Sequence, residues 1–174
     1  MSYFDCLKKT GDVMQEVLDV VDENNEVVGS APYSDVYAKR LNHRIVHVLI
    51  FNDKGEILLQ MRSAKKEFCP GHWVTSAGGH VQKGETYEQA GRREMKEELG
   101  VDIPLTLIHE SPYDHYKMRK FLQVFRGISE GPFKINLEEV SGCRWFSVAD
   151  VRDMVKKNQL IHPELAHVIE KLYP

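Results

Sequence analysis

Long apolar runs are missing from this 174-residue chain, and no stretch approaches the roughly 18 residues a helical membrane span needs. Cysteine is scarce: Cys6, Cys69 and Cys143 are odd in number and share no short spacing, so neither a disulfide framework nor a zinc site is indicated and reduced thiols are expected. The eight histidines form no HExxH pair. Internal repeats, low-complexity tracts and linker-like segments are absent too, so residues 1–174 read as one domain. Neither sign of charge dominates. With 23 basic and 26 acidic side chains the net charge is -3, which does not suggest nucleic-acid binding by general electrostatics and suits small charged metabolites better. The opening Met1–Gln15 lacks the apolar core of a signal peptide; it reads as a tail or short helix, and a cytoplasmic location is expected.

What the chain does hold is 42% hydrophobic residues, enough for a core. β-branched residues flank the turn formers Asp22-Glu23-Asn24-Asn25, so 16–21 and 26–30 read as an N-terminal β-hairpin, whose edge strands could pair across a homodimer. Tyr33 to Leu41 offers a short helix or irregular crossover. The nearly continuous apolar run Ile45–Asn52 predicts a central strand, with Ile57–Arg62 returning as its neighbour. A loop from Ser63 to His72 follows, then a short strand from Trp73 to Ser76. Further strands are expected at Leu105–Pro112, Lys120–Ile128 and Cys143–Phe146, and helices at Val148–Asn158 and Pro163–Leu172, the last with Pro at its start. Strands on both sides of a central helix predict an α/β/α sandwich built on a mixed sheet.

The segment with most chemistry is GHVQKGETYEQAGRREMKEELGV, Gly79 to Val101. Thr86 is placed to cap a helix over Tyr87–Leu99, which is rich in helix formers, and Gly100 stops it. At about 100° per residue, Glu94, Glu97 and Glu98 fall within about 100° of arc, although like charges at i,i+4 repel. Mg²⁺ or Mn²⁺, which choose carboxylate oxygens, would offset that repulsion. Glu85 can close on the same site, and Arg93 can hold a carboxylate in a bidentate pair that fixes loop to helix. The alternative is a solvated charged face. Candidate substrate contacts are Arg62, Lys65 and Lys66 around the 63–72 loop, and Tyr113 and Tyr116 in an expected loop Tyr113–Tyr116 that would join two strands.

The spacing Gly79, Glu85, Arg93-Glu94, apolar Met95, Glu97-Glu98, Gly100 and apolar Val101 resembles the Nudix box at every specified position. Seven strictly specified residues make a chance match on the order of one in a million. The family more often carries Ile, Leu or Val at the place of Met95, where an apolar side chain facing the sheet suffices. The resemblance implies a Nudix-type fold and hydrolysis of a nucleoside diphosphate derivative or related pyrophosphate by metal-assisted attack of water on phosphorus. It assigns a metal-binding carbonyl to Gly79, metal ligation to Glu97 and Glu98, and to Glu94 a ligand's or water-orienting base's role. Glu85 would assist and Arg93 would be structural, while Glu138 or Glu139 is a second base candidate. Asp22-Glu23-Asn24, His43-Arg44, Phe51-Asn52, Pro70-Gly71-His72-Trp73 and Gly79-His80 also resemble isopentenyl-diphosphate isomerase, with His43 and His80 matching two of its metal ligands. Gly78 stands at the isomerase's catalytic cysteine, and Met118 and Lys120 near its acidic pair, so hydrolysis is the expectation. A non-catalytic sensor of nucleotides or isoprenoid diphosphates is the third alternative.

Overall fold

The computed structural model describes residues 16–174; the expected tail Met1–Gln15, with Cys6, lies outside the described residues. At its centre is strand β3 (His43–Phe51), preceded by the hairpin β1 (Val17–Val21) and β2 (Val27–Pro32) and by helix α1 (Tyr33–Lys39). Side chains of β3 alternate between two covered faces, which is why its sequence is apolar almost throughout. Ile45, Leu49 and Phe51 join one core with Leu122, Val124, Leu165 and Ile169. Val46, Val48 and Ile50 join another with Ala90, Met95 and Leu99. The carriers of these cores are strand β8 (Met118–Ile128), parallel to β3 from His43↔Lys120 to Phe51↔Ile128, helix α2 (Tyr87–Leu99) on one face and helix α4 (Pro163–Leu172) on the other. Helix α3 (Val148–Lys156) adds Val151 on the α4 face. The fold is therefore the expected mixed α/β sandwich, with a seven-stranded sheet and a separate two-stranded N-terminal hairpin.

Three local details differ from the expectations. Strand β4 (Ile57–Arg62) is the neighbour of β3, as expected, but pairs with it only at Phe51↔Ile57; β6 (Ala77–His80) takes the rest of that edge, from Ile45↔His80 to Val48↔Ala77. Ser76 explains the opening. Its buried hydroxyl accepts from Ile50 N at 2.7 Å and donates to the Leu58 carbonyl at 2.5 Å, bridging the strands where their own ladder stops. Strand β4 then pairs with β5 (Trp73–Val74) and β9 (Val140–Phe146), the latter longer than expected because it pairs as far as Arg62↔Val140.

The third correction concerns the loop expected at Tyr113–Tyr116. Strand β7 (Thr106–His115) runs through most of it and pairs with β8 up to His115↔Met118, so only Tyr116 and Lys117, at φ 51° and 61°, form the turn. Arg119 donates to both oxygens of its cross-strand partner Asp114, at 2.7 and 3.0 Å, which extends the pairing to the tip.

Candidate active site

Strand β6 delivers two adjacent glycines to opposite faces of the sheet. Gly79 lies opposite Val46 on the α2 face and Gly78 opposite His47 on the α4 face. The loop after β6 enters α2 through a reciprocal cap in which Thr86 Oγ1 accepts from Gln89 N and the Gln89 side chain accepts from Thr86 N. Gly100 ends the helix at φ 68°, as only a residue tolerant of the left-handed region does comfortably. Met95 is fully buried against the sheet.

That anchoring divides the three helix carboxylates. Glu94 and Glu98, one turn apart, are buried, whereas the Glu97 side chain is 54% exposed. Arg93 organises the outer part. Its Nε and Nη2 donate to the two oxygens of Glu85 at 2.8 and 3.1 Å, its Nη1 to Glu94 Oε1 at 2.7 Å and Glu97 Oε2 at 3.2 Å, and its Nη2 also to the His80 carbonyl at 2.9 Å. Loop, strand and helix are thus tied to one guanidinium.

Glu98 is held differently, its Oε2 accepting from Gln60 Nε2 at 3.0 Å and from Gly78 N at 3.2 Å. Burial pushes the Glu98 carboxyl up to about 8, with Glu94 adding to the rise, and pushes Glu94 up to about 7 against the opposing pull of Arg93. For Glu85, burial alone would raise the pKa, but the Arg93 and Gln82 hydrogen bonds outweigh it and hold the carboxyl below its usual range.

Among the described residues no three His, Cys, Asp or Glu side chains close on a common point as a ready metal cage. The donor set nonetheless suits Mg²⁺ or Mn²⁺: it is all oxygen, and burial disfavours the charged form of two carboxylates that a cation would restore.

The sequence-based substrate candidates fall into two groups. Lys66 pairs with Glu139 and is close enough to Glu98 and Glu94 for both to offset the fall in its pKa, which burial and then Arg62 produce. Arg62 donates through Nε to the Phe68 carbonyl at 3.1 Å. Lys65 pairs with Glu138 on the open surface at 2.6 Å. Both alternative base candidates, Glu138 and Glu139, are therefore bound to lysines. Tyr113 and Tyr116 stand apart from the carboxylates. Tyr113 stacks on His115 and lies 4.8 Å from His167, its hydroxyl pushed up to about 12 by burial and then Glu164, while exposed Tyr116 packs 4.1 Å from His115.

Sequence reasoning missed Gln60 and Ser76. The signal for Gln60 was a lone amide inside the strand ILLQMR. The face opposite α2 carries the two histidines behind the isomerase likeness, His43 and His80. The His43 and His80 rings lie 5.4 Å apart, His80 Nε2 is 2.8 Å from the Tyr37 hydroxyl, and Lys120 Nζ donates to Glu164 Oε1 at 2.7 Å while lying 5.4 Å over the Tyr37 ring. A lysine cation within this cluster does not fit a metal ion at the same place.

Comparison with known proteins agrees with the geometry. Residues 41–171 match the NUDIX domain family. The chain is 33% identical over 147 residues, 82% of its length and 83% of the relative's, to a protein of Photorhabdus laumondii named isopentenyl-diphosphate Delta-isomerase 2. It is 35% identical over 131 residues, 75% of its length and 72% of the relative's, to a protein of Yersinia pestis named as a Nudix hydrolase. The crystal structure of DR0079 from Deinococcus radiodurans superposes with a TM-score of 0.80 at 31% identity, covering 91% of this chain and all of that one. Family match, relatives and fold together place the chain in the Nudix family, as an enzyme of its pyrophosphohydrolase type.

Proposed function

We propose that this chain is a Mg²⁺- or Mn²⁺-dependent hydrolase that cleaves a pyrophosphate linkage in a nucleoside diphosphate derivative or related diphosphate. The observation that carries the reading is the pair of buried carboxylates, Glu94 and Glu98, one helical turn apart beside Gly79. Glu94, Glu97, Glu98 and the Gly79 carbonyl would hold the ion, which when bound neutralises phosphate charge and acidifies water. Glu94, held by Arg93 at 2.7 Å, is the proposed group that orients the attacking water and takes its proton. The new bond joins that water oxygen to phosphorus, the bridging P–O bond breaks, and the departing phosphate carries the electron pair away. Arg93 and Glu85 keep Glu94 and the loop in place, while Lys66 and Arg62 offer positive charge to the phosphates. The proposed setting is the cytoplasm, and the proposed partner is a small diphosphate. Among the described residues no helix is long and apolar enough to cross a membrane. Pairing of two copies through β2, where Val27 and Val28 are exposed, is the proposed assembly, which sedimentation would test.

The test is a screen of the purified protein with Mg²⁺ or Mn²⁺ against nucleotide sugars, dinucleoside polyphosphates, NADH, nucleoside di- and triphosphates and isoprenoid diphosphates, following phosphate-containing products. Turnover abolished by chelator is expected. Metal binding without turnover of any substrate would overturn hydrolysis in favour of a sensor.

The relative named as an isomerase favours a second reading, conversion of isopentenyl to dimethylallyl diphosphate. Against it, a Cβ at position 78 would meet the Val46 carbonyl oxygen at 2.7 Å, and Lys120 is tied to Glu164. Dimethylallyl diphosphate formed from isopentenyl diphosphate would reverse the ranking.

A further inference from the structure

Gln60 sits on β4 with only 3% of its surface exposed, among Leu58, Leu59 and Met61. A buried amide costs stability unless it is bonded on both ends, and here one end is not: Nε2 donates to Glu98, while Oε1 is buried without a hydrogen-bond partner. The orientation follows from the partner. Once a bound cation keeps Glu98 ionised the carboxylate only accepts, so the orientation seen, NH₂ toward Glu98 and oxygen away, is the one the metal-bound centre requires. For packing alone, an apolar side chain of the same length would serve the site better, since it would leave no orphaned acceptor. The amide is thus explained by what it does to Glu98. Both hydrogen bonds to Glu98, from Gln60 and from Gly78 N, fall on Oε2, so they fix the carboxylate's rotation and turn Oε1 away from the sheet-side donors.

We propose that Gln60 is a positioning residue of the carboxylate centre, holding Glu98 through Oε2 so that Oε1 is presented to the divalent cation. The inference rests on the metal-centre reading above. It gives Glu98 on the sheet side the support that Arg93 gives Glu94 on the loop side.

The test measures Mn²⁺ affinity, from the free-ion electron paramagnetic resonance signal, on wild type, Gln60→Met, Glu98→Gln and the double variant, together with melting temperatures of the metal-free proteins. Gln60→Met is expected to weaken Mn²⁺ binding about 10-fold or more. In the Glu98→Gln background the same change is expected to have almost no further effect, because Gln60 acts through Glu98. The metal-free melting temperature should not fall. Unchanged Mn²⁺ affinity in Gln60→Met, or an equal loss with and without Glu98, overturns the proposal while leaving the metal centre standing; failure of the wild type to bind Mn²⁺ overturns the centre itself. Should Gln60→Met not fold, Gln60→Asn, whose shortened amide does not reach Glu98, is read by the same criteria.

Discussion

Gly79 and Glu94 occupy the same space in turn: a Cβ added at position 79 would lie 2.6 Å from Glu94 Cδ and closer still to Oε1. The glycine is what lets the carboxylate lie against the strand. Gly78, one residue earlier, meets backbone instead, since its Cβ would press on the Val46 carbonyl oxygen.

The two glycines should therefore fail differently. Gly79→Ala displaces the end of a side chain and is expected to lower kcat/KM by on the order of 10-fold or more, with a stability loss of about 1–2 kcal/mol. Gly78→Ala must move β3 itself and is expected to destabilise by more than that. Turnover and thermal melts on both variants check the contrast; equal stability losses would contradict it.

Arg93 predicts a separation of stability from activity. Arg93→Ala strips partners from Glu85 and Glu94 and unties the loop, and should cost on the order of 2–4 kcal/mol with or without metal. Glu98→Gln should instead leave the metal-free melting temperature at pH 7 level, because burial already keeps that carboxyl largely protonated there, and Glu97→Gln should change it little, because the Arg93–Glu97 contact is half exposed, while turnover falls about 10²-fold or more in both. Near-wild-type turnover in both glutamine variants at saturating metal would reduce the acidic face to solvated charge.

The pH dependence of the metal-free protein carries a definite sign. Glu94 and Glu98 titrate near 7 and 8 in the fold against an ordinary 4.5, so the folded state holds more protons than the unfolded chain and stability falls as pH rises through that range. His43 and His162, lowered chiefly by burial to about 4 and about 3, act oppositely, but their contribution is complete above their ordinary 6.5. The clean window is therefore pH 6.5 to 8. Melting temperature is expected to fall across it in chelator, to fall less in Glu98→Gln, and to flatten when Mg²⁺ or Mn²⁺ is added. A rising curve in chelator would contradict the buried carboxylates.

Much of this protein is local and so could be read from the chain. Helix α2 begins and ends as predicted because Thr86 caps it through its own side chain and Gly100 tolerates a left-handed backbone, effects spanning only a few residues. Local too are the start of α3 at Val148, which the Ser147 side chain caps, the start of α4 at Pro163, and the apolar run that became β3. Helical spacing likewise brought Glu94, Glu97 and Glu98 to one side.

Which of those carboxylates would be buried was decided by packing against β6 and β4, since periodicity describes an arc and has no means of saying where the sheet cuts it. Gln60 reaches Glu98 across 38 residues of chain, Ser76 opens the β3–β4 edge, and Arg119 carries β7 and β8 past the expected loop. Tyr113 and Tyr116 were placed with the α4 face rather than the carboxylates because strand pairing, not loop composition, fixed the direction of their backbone. These outcomes depend on pairing between distant segments, whose free energy comes from hydrogen bonds and burial that exist only once the sheet has formed.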